Sequence, residues 1–174
     1  MSTDNILVQK FRRIYVVGGT GSGKSLAAGI LSATLRIPWY DLDGDDVYSL
    51  THKDRKHYLQ NLMQQDQWIC EADGIAAEWV NSADITLVIS TPRLIRVSRI
   101  LKRALLKSMG KQFKGQLGRE TCRTLAFRLA LTWRYEKDIL NPYINKNNTK
   151  DIVFVTDNRK VMCRLYHPTD ADNP

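Results

Sequence analysis

The sequence predicts an α/β fold, and three observations predict it. Apolar, β-branched runs of strand length recur along the chain and alternate with stretches of helical period. The clearest of them, residues 84–90 (Asp-Ile-Thr-Leu-Val-Ile-Ser), is the continuous apolar type that a parallel strand buried on both faces requires. The first of them, Ile14 to Val17, runs directly into a glycine-rich loop and then a helix. No internal repeat or low-complexity segment interrupts the pattern, so one α/β unit accounts for all 174 residues.

The elements follow in order. Residues 1–10 are a polar lead-in, and the first strand comes at once. After the loop, residues 26–35 carry apolar positions on a 3.6-residue period and predict the first helix. Residues 36–43 predict a second strand with Pro38 near its start, where a missing N–H does least harm. Tyr58, Leu59, Leu62 and Met63 recur at helical spacing and predict an amphipathic helix over 54–67. Trp68-Ile69-Cys70 opens a third strand, residues 84–90 form the fourth, and Thr91-Pro92 starts a helix reaching about Met109. In that helix Leu94, Val97, Ile100, Leu101, Ala104 and Leu105 are expected to be the buried stripe. Residues 110–119 hold three glycines and three cations, the composition of a lid-like segment, or of a plain connecting loop. A long helix over about 120–140 is expected to bury Leu125, Leu129, Ala130 and Trp133, and residues 151–156 give a fifth strand. A turn at 157–160, a short helix carrying Val161, Met162, Leu165 and Tyr166, and a polar tail at 167–174 close the chain.

The loop carries the most specific chemistry. Gly18-Gly19-Thr20-Gly21-Ser22-Gly23-Lys24-Ser25 matches a glycine, four free positions, then Gly-Lys-Ser, and it lies between a strand and a helix as that pattern demands. Closely spaced glycines let backbone N–H groups curl around phosphate oxygens, and the opening helix adds its positive dipole end. Residues 18–25, with Leu26 behind them, are thus the candidate nucleotide-binding set. Lys24 would reach the β- and γ-phosphates and Ser25 would ligate Mg²⁺.

Two acidic groups and one basic row complete the candidate site. Asp41, Asp43, Asp45 and Asp46 surround Gly44 just past the second strand, where open α/β sheets place ligands. Asp43 is the favoured acceptor-side acid, and turn formation or helix capping is the competing account of all four. The third strand ends in Glu71-Ala72-Asp73-Gly74, where a phosphate-loop enzyme places a Mg²⁺-water ligand or a base; Glu71 or Asp73 could cap the next helix instead. Arg96, Arg99, Arg103 and Lys107 step along one helix face, a row that suits a triphosphate, nucleic acid or a solvated surface. His52 and His57 lack partners at ligand spacing and read as surface residues.

Charge and cysteine content bound the setting. The net charge of +8 and pI near 9.5 call for a polyanionic partner: nucleoside phosphates, nucleic acid or an anionic membrane surface. Cys70, Cys122 and Cys163 stand far apart and odd in number, which fits neither a disulfide framework nor a metal site. No apolar run reaches the roughly 20 residues of a membrane span, and the first residues lack the pattern of a secretion signal. A soluble, cytoplasmic protein is expected.

On these residues the chain resembles the adenylate-kinase-related P-loop proteins known as DNA topology modulation proteins, the FlaR type. The matching features are Gly18 to Ser25; Tyr40-Asp41-Leu42-Asp43, where the family has an aspartate after His-Leu; and Trp68-Ile69-Cys70-Glu71, where it reads Trp-Ile-Ile-Asp. Residues 83–84 and 91–93, Arg99-Ile100-Leu101-Lys102-Arg103 and Trp133-Arg134-Tyr135 follow in order, so that the resemblance covers roughly residues 12 to 166. It implies a three-layer α/β/α P-loop NTPase fold of the nucleoside monophosphate kinase type, with a five-stranded parallel sheet. It also implies ATP with Mg²⁺ and phosphoryl transfer to a small acceptor, with Asp43 meeting the acceptor and Arg99 and Arg103 leading into the lid. Cys70-Glu71-Ala72-Asp73-Gly74 and Ser90 depart from the family pattern on the acceptor side.

The leading expectation is a nucleotide or small-molecule kinase with Lys24, Asp43, Glu71, Arg99 and Arg103 in its catalytic site. A nucleotide-binding regulator or ATPase touching nucleic acid through the basic surface of residues 93–134 is the alternative.

Overall fold

The computed structural model describes residues 11–109, 122–135 and 152–155. Its elements are β1 (Arg13–Val17), α1 (Lys24–Leu35), β2 (Trp39–Asp41), α2 (Asp45–Tyr48), α3 (His52–Met63), β3 (Trp68–Ala72), α4 (Ala77–Ser82), β4 (Ile85–Ile89), α5 (Arg93–Ser108), α6 (Cys122–Tyr135) and β5 (Ile152–Val155). The lead-in 1–10, the basic segment 110–119, the turn and helix expected over 157–166, and the tail 167–174 lie outside the described residues.

The strands lie in the order β2-β3-β1-β4-β5, and every pairing is parallel. Successive side chains of a strand point to opposite faces, and β1 shows the consequence. Ile14 and Val16 join Leu31, Ala27 and Ala28 of α1 in one core, together with Ile69, Ile85, Leu87 and Ile89. Tyr15 and Val17 join a second core with Leu62 of α3, Trp79 of α4 and Tyr135 of α6. Helices thus cover both faces, which is why the central strands read as near-continuous apolar runs. In the second core Trp79 stacks on Tyr15 with ring centroids 6.1 Å apart and meets Trp68 edge-on at 5.4 Å.

Several expected boundaries shift. β2 shortens to three residues because only Trp39, Tyr40 and Asp41 find partners on β3. β3 ends in Glu71 and Ala72, as expected, with Asp73 just past it. Two short helices, α2 and α4, appear where no period was visible, since four and six residues are too few to display one.

The larger correction concerns α5 and α6. Among the described residues of α5, Arg96 and Ile100 are the buried ones, whereas Leu94, Leu101 and Leu105 of the expected stripe are 77%, 46% and 62% exposed. The helix is turned so that Arg96 and Arg99 reach carbonyls of the glycine loop, and hydrogen bonds to a buried charged group outweigh exposure of a few apolar side chains. In α6 the buried residues are Thr132 and Tyr135; Trp133 and Ala130, expected inside, are exposed, and Arg93 lies over the Trp133 ring.

Candidate functional site

The loop between β1 and α1 is the centre of the site. Gly21 and Gly23 adopt φ of +80° and +96°, a left-handed conformation open to glycine and strained for most other residues. Gly23 is the N-cap of α1, so Lys24 and Ser25 occupy its first turn with the helix's N–H groups and positive dipole end behind them. Leu26, also in the expected set, turns its side chain to solvent.

Strand register gathers the acids. Glu71 pairs with Val16 on one side and with Asp41 on the other, so all three side chains share the sheet face that carries α1. This places the Glu71 carboxyl, 1% exposed, beside the first turn of α1. Burial pushes its pKa up to about 7; Lys24 and a hydrogen bond from Ser25 pull the other way, and Asp41 and Asp73 add to the rise. Its Oε2 has no hydrogen-bond partner among the described residues. Asp41 is also raised, first by burial, while a backbone hydrogen bond from Asp43 and the charge of Lys24 oppose the shift.

Lys24 is the counter-charge. Its Nζ lies 2.7 Å from Asp73 Oδ1. Burial alone would lower its pKa, but Asp73, Glu71 and Asp41 together outweigh burial and raise it, so the ammonium stays charged. Asp73 also accepts from Thr20 Oγ1 at 3.2 Å, and its backbone N–H donates to Asp43. Asp43 in turn accepts from the Tyr48 hydroxyl at 3.4 Å. Lys24, Ser25, Asp41, Asp43, Glu71 and Asp73 therefore form one connected group at the carboxyl ends of β1, β2 and β3. Asp45 and Asp46 instead lie in the first turn of α2, whose N-cap is Gly44, where their charge favours the helix's positive end.

The basic row divides. Arg96 is 2% exposed, donates from Nε to Thr20 O at 3.2 Å and lies over the Tyr135 ring. Arg99 donates from Nη1 to Gly21 O and Ser22 O at 3.1 and 3.0 Å. Arg103 is half-buried one turn further along. Thr91 Oγ1 donates to Ser22 O at 2.9 Å. Sequence reasoning missed Thr91 and Tyr135 as neighbours of the loop and did not separate Arg96 from the rest of the basic row; no periodic signal distinguishes it from Arg103.

The donor set can be compared with what Mg²⁺ needs. A carboxylate with an orphan oxygen beside a hydroxyl suits this hard cation, which is held through one or two protein oxygens plus waters and substrate phosphates. Among the described residues no cluster of three or more His, Cys, Asp or Glu is arranged to hold a metal ion.

No family model matches the sequence, and no curated protein sequence matches it. Solved structures do match its fold. Shikimate kinase from Bacteroides thetaiotaomicron is 15% identical, with 91% of this chain and 95% of that one covered and a TM-score of 0.51. Shikimate kinase from Aquifex aeolicus is 17% identical, with 92% and 97% covered and a TM-score of 0.50. A gluconokinase from Sinorhizobium meliloti is 14% identical, with 89% of each chain covered and a TM-score of 0.51. The chain thus has the α/β fold with a parallel sheet seen in small P-loop kinases.

Proposed function

We propose that this protein is a kinase that binds ATP with Mg²⁺ at the loop 18–25 and transfers the γ-phosphoryl group to a small acceptor facing Asp43. The observation that carries the reading is the joining of Lys24, in the first turn of α1, to three carboxylates, Asp41, Glu71 and Asp73, from the ends of β2 and β3. Phosphoryl transfer needs little beyond positioning and charge neutralisation, and those residues supply both.

On this reading Gly18 to Ser25 hold the phosphates, and Lys24 leaves Asp73 to meet the β- and γ-phosphate oxygens. Ser25 and Glu71 are the residues that would hold Mg²⁺, with Asp73 as the second candidate acid. When bound, the ion supplies charge neutralisation to the transferring group. Asp43 orients the acceptor hydroxyl and takes its proton. Arg99 and Arg103 add positive charge on the α5 side of the loop. Lys24, Asp43 and Glu71 are accordingly proposed as catalytic, while Arg99 and Arg103, also expected in the catalytic site, would act through the charge they bring behind the loop.

The kinase neighbours of the fold and the order of motifs shared with the DNA topology modulation proteins both support this reading, the latter giving it its finer family form. The nucleic-acid reading has less support, because Arg96 and Arg99 donate to loop carbonyls instead of forming an outward strip. ADP release measured against a panel of polyols, sugar acids, nucleosides and nucleoside monophosphates tests the proposal. Transfer to at least one acceptor is expected, lost by about a hundredfold or more in Lys24→Ala. Absence of Lys24-dependent transfer to every acceptor refutes it.

A further inference from the structure

Three consecutive carbonyls of the phosphate loop point at one neighbouring unit. Thr20 O accepts from Arg96 Nε at 3.2 Å, Gly21 O from Arg99 Nη1 at 3.1 Å, and Ser22 O from both Arg99 Nη1 at 3.0 Å and Thr91 Oγ1 at 2.9 Å. All the donors come from the residues just after β4 and the first two turns of α5. Each peptide is planar and trans, so a C=O directed at α5 sends the N–H of the next residue the opposite way. The N–H groups of Gly21 and Gly23 are thereby aimed away from α5, while that of Ser22 closes a tight turn on Gly19 O at 2.9 Å.

The loop's glycines fit the same purpose. A Cβ on Gly19 would stand 2.0 Å from Arg96 Nη2 and 2.9 Å from Tyr135 Cγ, and one on Gly21 would stand 2.8 Å from the Arg96 carbonyl oxygen. Gly19 and Gly21 therefore admit the helix as well as a phosphate. Arg96 at 2% and Thr91 at 7% exposure are held in place before any ligand arrives.

We infer that Thr91, Arg96 and Arg99 are positioning residues: a brace that grips the outer carbonyls of the phosphate loop and presets its N–H groups for a polyphosphate. The inference rests on the nucleotide reading of that loop and extends it to the opposite side of the same peptides. Charge-assisted donors from Arg strengthen the grip, and an oriented loop binds with less reorganisation.

The test uses the full chain and two probes, ATP and inorganic tripolyphosphate, with binding followed by calorimetry and the unfolding midpoint recorded without ligand. Thr91→Val, which keeps shape and removes the hydroxyl, is expected to weaken both probes by the same factor, about two- to tenfold. Thr91→Ser restores wild-type affinity, and Arg96→Met weakens both by about tenfold or more. Unchanged affinity in Thr91→Val, a loss that Thr91→Ser shares, or a loss confined to ATP overturns the brace while leaving the nucleotide reading intact. Wild-type protein that binds neither probe overturns the nucleotide reading and the brace with it.

Discussion

Glu71→Gln tests whether a buried carboxylate is kept in the site at the expense of stability. Its pKa rises from the ordinary 4.5 to about 7, first through burial and then through its acidic neighbours. Between those values the folded protein holds a proton that the unfolded chain has released, so unfolding free energy falls as pH rises through this window and levels off above it. At about 1.4 kcal/mol per pH unit, the gap amounts to roughly 3 kcal/mol above pH 7, an upper figure because the surroundings relax. Gln resembles the protonated acid and removes that slope. The variant should match wild type near pH 4.5 and be more stable at pH 8 by up to about 3 kcal/mol, or roughly 6–12 °C in midpoint for a chain of this size. Urea unfolding of both proteins from pH 4.5 to 8 provides the comparison. A variant no more stable than wild type at pH 8, or one that keeps the wild-type pH slope, refutes the reasoning. On the proposed function the same change also lowers turnover, which would make Glu71 a residue kept for chemistry.

Three further outcomes follow from the geometry. Asp43→Asn should lower turnover by about a hundredfold or more while leaving ATP affinity near wild type, as steady-state kinetics beside calorimetry would show. Gly19→Ala forces the Arg96 guanidinium and the Tyr135 ring apart, and a loss of about 1–3 kcal/mol is expected in denaturant titration. Trp79→Ala empties the contact with Tyr15 and Trp68 in the second core and should cost about 3–5 kcal/mol, visible as a lower midpoint with unchanged slope.

What the sequence discloses here follows the range of the interactions. The loop 18–25, β1 and β4 are specified by local chemistry: β-branched runs, glycines at fixed spacing and a lysine opening a helix. The pairing of Glu71 with Val16 and Asp41 is a matter of register, invisible until the sheet is assembled. The rotation of α5 is tertiary in the same sense. Periodicity finds an apolar stripe through Leu94, Leu101 and Leu105, yet the helix faces the loop with Arg96 and Ile100, because the loop offers carbonyls, Gly19 to seat the guanidinium and Gly21 to admit the helix backbone. The position of Asp43 just after β2 was readable, whereas its link to the backbone of Asp73, thirty residues on, was not.

The acids and Lys24 can be read together as one exchange. Lys24 is buried enough that an isolated ammonium would tend to lose its proton, and Asp73, Glu71 and Asp41 hold it charged. Burial first, and the neighbouring acids after it, raise Glu71 and Asp41, and these two with Asp73 face the one lysine. A phosphate chain entering alone would draw Lys24 away from Asp73 and leave the carboxylates facing further negative charge. A dication entering alone would find only a carboxylate and a hydroxyl. Each entry relieves the charge that the other leaves behind, and on the proposed function this couples metal and nucleotide binding. Calorimetry should therefore show that Mg²⁺ tightens ATP binding more in wild type than in Glu71→Gln. An equal effect of Mg²⁺ in both would mean that Glu71 takes no part in the exchange.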